Sequence, residues 1–243
     1  MKSLIKTAFV SIALAGACAH ADISFTPTIA SDYDFRGISL SARKATYQGE
    51  LDFSFDSGWK GYVFVSNTDL GPAVDTSIEV DLVGGYGGSV GSASWDAGIV
   101  YYTYPTDTKF NYPEAWVGLS KSFNDGAASI GGKLWYSNDY AAAKTSATYV
   151  ELNGSYGLPA GFGLVAHVGH SDGKYWDDFN GGGYVEYNIG VTKSFGKIAF
   201  ALKYIDGSDL IDCDNEVTCG DTDVNSTDKK IVLSVSTTLP WKD

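Results

Sequence analysis

No apolar run long enough for a membrane-spanning helix, about 20 residues, occurs anywhere in this sequence. Basic residues are scarce: 17 Lys and Arg stand against 29 Asp and Glu, for a formal net charge of −12. With no basic patch, nucleic acid is excluded as a partner. One methionine and few leucines argue against a helical bundle. Histidine is limited to three residues, so few general bases are on hand. Cysteine is also limited to three, Cys18, Cys213 and Cys219.

The first 21 residues read as a secretory leader. Lys2 and Lys6 precede an apolar run from Ala8 to Ala17, and Ala19-His20-Ala21 forms a small-residue cleavage site before Asp22. A lipoprotein reading competes, because Cys18 follows Ala15-Gly16-Ala17, but Leu14 sits one place too far from the cysteine. The expected division is a leader, 1–21, and one barrel domain, 22–243. Loss of the two leader lysines takes the charge to −14.

What the sequence has in quantity is glycine, 29 residues, tyrosine, 16 residues, and a period of two. Between Tyr187 and Tyr204, the residues Tyr187, Ile189, Val191, Lys193 and Phe195 alternate with Asn188, Gly190, Thr192 and Ser194. After Gly196-Lys197, a tight Gly-X turn, the alternation resumes with Ile198, Phe200, Leu202 and Tyr204. About twelve such segments can be marked, near 23–37, 45–55, 59–70, 75–87, 93–104, 112–123, 127–137, 147–157, 162–171, 183–195, 198–206 and 228–239. Most have the length that a tilted strand needs to cross a bilayer.

The connections alternate in length. Short turns fall at Asp56-Ser57-Gly58, Asn124-Asp125-Gly126, Leu158-Pro159-Ala160-Gly161 and Gly196-Lys197, with a Gly-rich link at 88–92. Longer loops fall near 38–44, 71–74, 105–111, 138–146, 172–182 and 207–227. A soluble sandwich has no reason to alternate so. An outer-membrane barrel does, with short periplasmic turns and longer outer loops. The expected fold is all-β: a closed antiparallel transmembrane β-barrel of about twelve strands in the bacterial outer membrane. It must close, because an open sheet edge in hydrocarbon is too costly. Phe123 and Phe195, each ending a Gly-x-Ser/Thr-Lys-Ser-Phe echo, are expected in an aromatic girdle, with Lys121 and Lys193 snorkelling beside them.

A resemblance adds to this reading. The pieces Ser31-Asp32-Tyr33, Phe35-Arg36-Gly37-Ile38-Ser39, Gln48-Gly49 and Ser66-Asn67-Thr68-Asp69, with the later GIVYYTYP of residues 98–105, resemble the TorF porin family, also called Gcw_chp, a proteobacterial group. The resemblance implies an outer-membrane barrel. It implies no substrate and no catalytic residue.

Inward parity selects Glu50, Asp52, Asp81, Asp96, Glu114, Glu151 and Glu186, with Lys133, Lys203 and His167. Carboxylate rings favour cations, so a narrow channel for ions or small polar solutes is the leading function, with outer-membrane lipid as surroundings. The alternative is a non-conducting structural or adhesion barrel whose interior charges pair and block flow. Arg36 is expected near the outer rim, beside Asp32 and Asp34, whose carboxylates could hold it; tying strands together through hydrogen bonds is favoured over positioning an anionic substrate at the mouth. An enzyme is disfavoured: His167 and His170 point to opposite faces of one strand, and no nucleophile motif surrounds them. No cofactor or metal is expected. Cys213 and Cys219 are expected to pair as a disulfide, and the acidic stretch 206–228 lacks an EF-hand frame.

Overall fold

A computed structural model describes residues 21–71, 74, 76–208 and 223–241. The period of two becomes a single sheet. Its spanning strands are β1 (Ala21–Ala30), β4 (Thr46–Phe55), β5 (Trp59–Asn67), β6 (Ile78–Val90), β7 (Ala93–Thr103), β8 (Tyr112–Phe123), β9 (Ala128–Ser137), β10 (Ala147–Leu158), β11 (Phe162–Asp172), β12 (Tyr184–Phe195), β13 (Ile198–Ser208) and β14 (Lys230–Ser236). Two further strands, β2 (Asp34–Phe35) and β3 (Ile38–Ser39), pair only with each other. Every spanning strand pairs antiparallel with its neighbour in sequence, and β1 pairs with β14, so the sheet is a closed twelve-stranded barrel.

The closing seam is the weakest ladder. Between β1 and β14, Thr28, Ile29 and Ala30 face Ser236, Val235 and Ser234. The expected last strand, 228–239, stops early as a regular element, at Ser236. Opposite Thr237 stands Pro27, which has no N–H to give. Its carbonyl still accepts from Thr237 N at 3.3 Å, and the register resumes at the bridge between Phe25 and Leu239.

Parity sorts the two faces. Ile189, Val191, Leu202 and Leu233 point outward and are exposed, as are apolar residues on every other spanning strand. Such a continuous apolar belt is far larger than water tolerates on a soluble monomer, and lipid is its solvent. Tyr47, Tyr101, Tyr136, Tyr187 and Tyr204 ring the belt near the long-loop end. At the short-turn end Trp59 packs edge to face on Tyr86, which in turn meets Trp95 at a tilt, with Phe123, Phe162 and Phe195 farther around. These are the two aromatic girdles of an outer-membrane barrel. Lys193 snorkels: its ammonium lies over the Phe162 and Phe195 rings and bonds the Ala160 carbonyl, while Lys121 sits over Phe123.

Several details differ from the sequence reading. The first strand, expected over 23–37, ends at Ala30, because residues 31–39 leave the wall and turn inward. The Gly-rich link at 88–92 is mostly strand, since β6 runs to Val90 and only Gly91-Ser92 turn. One outer loop contains a short helix, α1 (Lys174–Asn180), closed by Gly181 in the left-handed region at φ 75°.

Candidate functional site

The inward segment is a hairpin that enters the barrel. Phe35 pairs with Ile38, and Arg36-Gly37 form its two-residue turn with φ values of 54° and 85°. Both positive values are what a type I′ turn demands. Gly37 adopts its value without strain, whereas Arg36 pays roughly 1–2 kcal/mol for a left-handed backbone. The side chain offsets this. Its Nη1 and Nη2 donate to Oε1 and Oε2 of Glu114 on β8 at 3.0 and 2.9 Å, and its guanidinium lies 4.2 Å from the centre of the Tyr149 ring.

The rest of the loop is fastened by residues that look unremarkable in sequence. Asp32 accepts from Ser39 and Ser41 hydroxyls at 2.6 and 2.8 Å. Lys230, buried at the start of β14, reaches Asp32 at 3.2 Å and Asp34 at 2.8 Å. Burial raises the Asp34 carboxyl above its ordinary range, against the pull of the Lys230 ammonium. Tyr33 donates to Glu79 at 2.7 Å, and burial pushes its phenol well up. Tyr184 donates to the Arg36 carbonyl at 3.0 Å. Around the hairpin, Val100, Tyr102, Tyr112, Tyr140, Trp176 and Tyr184 form a buried aromatic cluster against which Phe35 and Ile38 pack. The outer half of the lumen is thus filled.

The periplasmic half is not. Along β8, buried and exposed residues alternate from Tyr112 to Gly118, after which every residue to Phe123 is exposed. Many inward positions there are small: Ser120 on β8, Ser129 and Gly131 on β9, Ser155 on β10, Thr192 on β12 and Ala201 on β13, beside the longer Asp96, Lys133, Asn153 and Lys203. They surround a cavity of about 680 Å³. A second cavity of about 350 Å³ lies against the hairpin, and the two share His167 and Asn188 in their linings.

The structure places Asp52, Asp81, Asp96, Glu114, Lys133, Glu151, Glu186 and Lys203 on the inner face, with Glu50 and His167. It then divides them. Glu114 is consumed by Arg36 and by the Tyr102 hydroxyl at 3.0 Å. Asp96 takes the Trp116 indole N–H at 2.7 Å, Lys60 at 3.3 Å and Lys133 at 3.7 Å. Glu186 accepts from Tyr149 at 2.6 Å and faces His167 Nε2 at 2.5 Å. Gly169 makes that possible, since a side chain there would collide with the Tyr149 hydroxyl and the Glu186 carboxylate. Glu151 accepts from the Trp135 indole at 3.0 Å and from Asn153 at 3.1 Å. Lys203 lines the periplasmic cavity. Asp52 accepts from Ser24 at 3.4 Å.

Arg36 requires a correction. It stands inside the lumen, not at the rim, and Glu114 holds it while Asp32 and Asp34 hold Lys230. The sequence reading missed Lys230, Glu79 and Tyr33, although the Phe35-Arg36-Gly37-Ile38 turn signal was present. His170 points outward, with Nδ1 near the Tyr184 carbonyl at 2.9 Å. Cys213 and Cys219 lie outside the described residues.

The family model described as a bacterial protein of unknown function (Gcw_chp) matches residues 14–239. The chain belongs to the Gcw_chp family. That match does not carry the TorF name. The stretches that carry the family resemblance, Ser31 to Tyr33 and Phe35 to Ser39, are the inward hairpin and its fastening. None of the curated proteins compared by sequence matches. Among solved structures the Gcw_chp barrel is similar to the NanC porin, with a TM-score of 0.57 at 9% identity over 88% of this chain and 98% of that one. It is similar to the KdgM porin, at 0.57 and 8% over 92% and 100%, and to an outer membrane channel from Pseudomonas putida F1, at 0.51 and 10% over 90% and 94%. At such identities the likeness is one of fold: the chain is an outer-membrane β-barrel of the porin type, and the three structures named are two porins and a channel.

Proposed function

We propose that the protein is a narrow outer-membrane channel for small polar solutes, favouring cations, with the first outer loop folded into its mouth as a constriction. The observation that carries this reading is the pair of adjoining cavities. A wide periplasmic vestibule, lined largely by Ser, Gly, Ala and Thr with Asp96, Lys133 and Lys203 among them, meets a polar upper cavity at His167 and Asn188. The upper lining includes Glu50, Asp81, Glu151 and Glu186, against Arg36 already neutralised by Glu114. A field of that sign concentrates cations in a low-dielectric bore. A KdgM porin is known in complex with disordered oligogalacturonate. A uronate chain is anionic, and an acid-lined lumen disfavours it here.

The filled outer half favours a second reading, a barrel that does not conduct and acts through its outer loops. Planar-bilayer recording of the refolded mature chain in a salt gradient separates the two. The channel reading expects small currents and a cation-signed reversal potential that moves toward zero in Asp52→Asn/Glu151→Gln. Folded barrels without channel events would establish the second reading, and anion-signed currents would remove the cation preference.

A further inference from the structure

The upper cavity has one wall whose acids no base answers. Register places Glu50 on β4 opposite Phe64 on β5, and Phe64 opposite Asp81 on β6, so the three form one row across the inner face. Neighbouring strands lie about 4.8 Å apart, which sets the two carboxyl-bearing positions roughly 10 Å apart with a phenyl ring between them. All three side chains line the 350 Å³ cavity, together with Tyr62 and Tyr33. The Tyr33 and Phe64 ring centres are 5.8 Å apart.

The basic residues nearby are committed elsewhere. Arg36 is bound to Glu114, Lys230 to Asp32 and Asp34, and Lys60 and Lys133 to Asp96. Among the described residues no ion pair reaches Glu50 or Asp81. Asp81 is only 6% exposed, and its Oδ1 is buried with no hydrogen-bond partner. A second carboxyl, Glu79, stands two residues along on the same face, where its Oε1 is taken by Tyr33. Like charges crowded in a low dielectric repel, and a buried acid without a cation bears a desolvation cost. A cation entering this corner relieves both.

The rings say which kind. A metal ion that sheds its water needs a cage of protein oxygens in its place, and no group of three His, Cys, Asp or Glu residues arranged to hold a metal occurs among the described residues. Aromatic faces attract organic cations. We propose that the Glu50–Phe64–Asp81 row is a binding site for small organic ammonium compounds, the ammonium hydrogen-bonding Asp81 Oδ1 while its alkyl part lies over Phe64. The site deepens the channel reading by naming a solute class, and it rests on that reading for how solute reaches it.

Calorimetric titration of the folded, detergent-solubilised mature protein tests this, with putrescine as probe, 1,4-butanediol as its neutral counterpart and calcium chloride as the inorganic cation. Saturable putrescine binding is expected, none by the diol, and at least a tenfold loss of affinity in Asp81→Asn and in Glu50→Gln, both near-isosteric. A heat-shifted band on an unboiled gel certifies that each variant is folded. The proposal is overturned by absent putrescine binding, by equal binding of the diol, by calcium binding as tightly with the same dependence on Asp81, or by unchanged affinity in the two variants. A barrel that conducts ions but binds no putrescine sinks this proposal alone. Putrescine binding without any ion current leaves the site standing and sinks the channel reading.

Discussion

Arg36 and Glu114 face each other fork to fork, 78 residues apart in sequence, with two N–H···O bonds of 3.0 and 2.9 Å. Both side chains are nearly inaccessible, at 7% and 1%. The pair joins the tip of the first outer loop to the outer part of β8, inside the bore. Bidentate geometry of this kind is specific as well as strong, and it fixes where the hairpin stops.

Replacing Arg36 by alanine leaves Glu114 buried without its cation, a loss of about 3–5 kcal/mol for a pair of this type. Lys230 on Asp32 and Asp34, and Tyr33 on Glu79, still fasten the base of the loop, so the loss falls on its tip. The expected outcome is a hairpin tip freed from β8 and a several-fold rise in single-channel conductance, with the barrel intact by heat-modifiability. Arg36→Lys keeps the charge but loses the fork, so it should fall between. Conductance unchanged in Arg36→Ala would show that the hairpin does not set the constriction.

Leu202 and Ala201 are neighbours on β13 with opposite fates. Leu202 is 52% exposed on the outer face, paired across to Val191 and Leu233. Ala201 lines the periplasmic cavity. Leu202→Lys should cost about 2–4 kcal/mol of folding stability in lipid, as expected near a bilayer midplane. Ala201→Lys should cost under about 0.5 kcal/mol, because its ammonium meets water. Urea titrations of both variants in liposomes give the comparison, and equal costs would contradict the assigned parity.

Intact mass of protein purified from the native envelope should read a chain beginning at Asp22, with the leader removed. The same spectrum, with and without reduction, should differ by two hydrogens if Cys213 and Cys219 are paired as the oxidising compartment favours. Breaking that bond should change barrel stability only modestly, because the closed ring is small. Free thiols in unreduced protein would refute the pairing.

The sequence by itself determined the barrel. Alternation of period two along Tyr187–Tyr204 is a local property: each residue's face follows from its neighbours and the pleat, so parity assigned Glu114, Lys133 and Glu186 to the inside and Leu202 to the lipid. Short turns such as Gly196-Lys197 declare themselves through backbone chemistry that is equally local.

Only the tertiary structure decided what fills the mouth. Arg36 meets Glu114, Lys230 meets Asp34 and Tyr33 meets Glu79 across gaps of 78, 196 and 46 residues. Which acid takes which base depends on how far the first loop dips once the sheet has closed on itself. No periodicity encodes that depth. It follows from burial: inside a low-dielectric bore a charge must find a partner, and the hairpin settles where Arg36 and Lys230 find theirs while Glu50 and Asp81 do not.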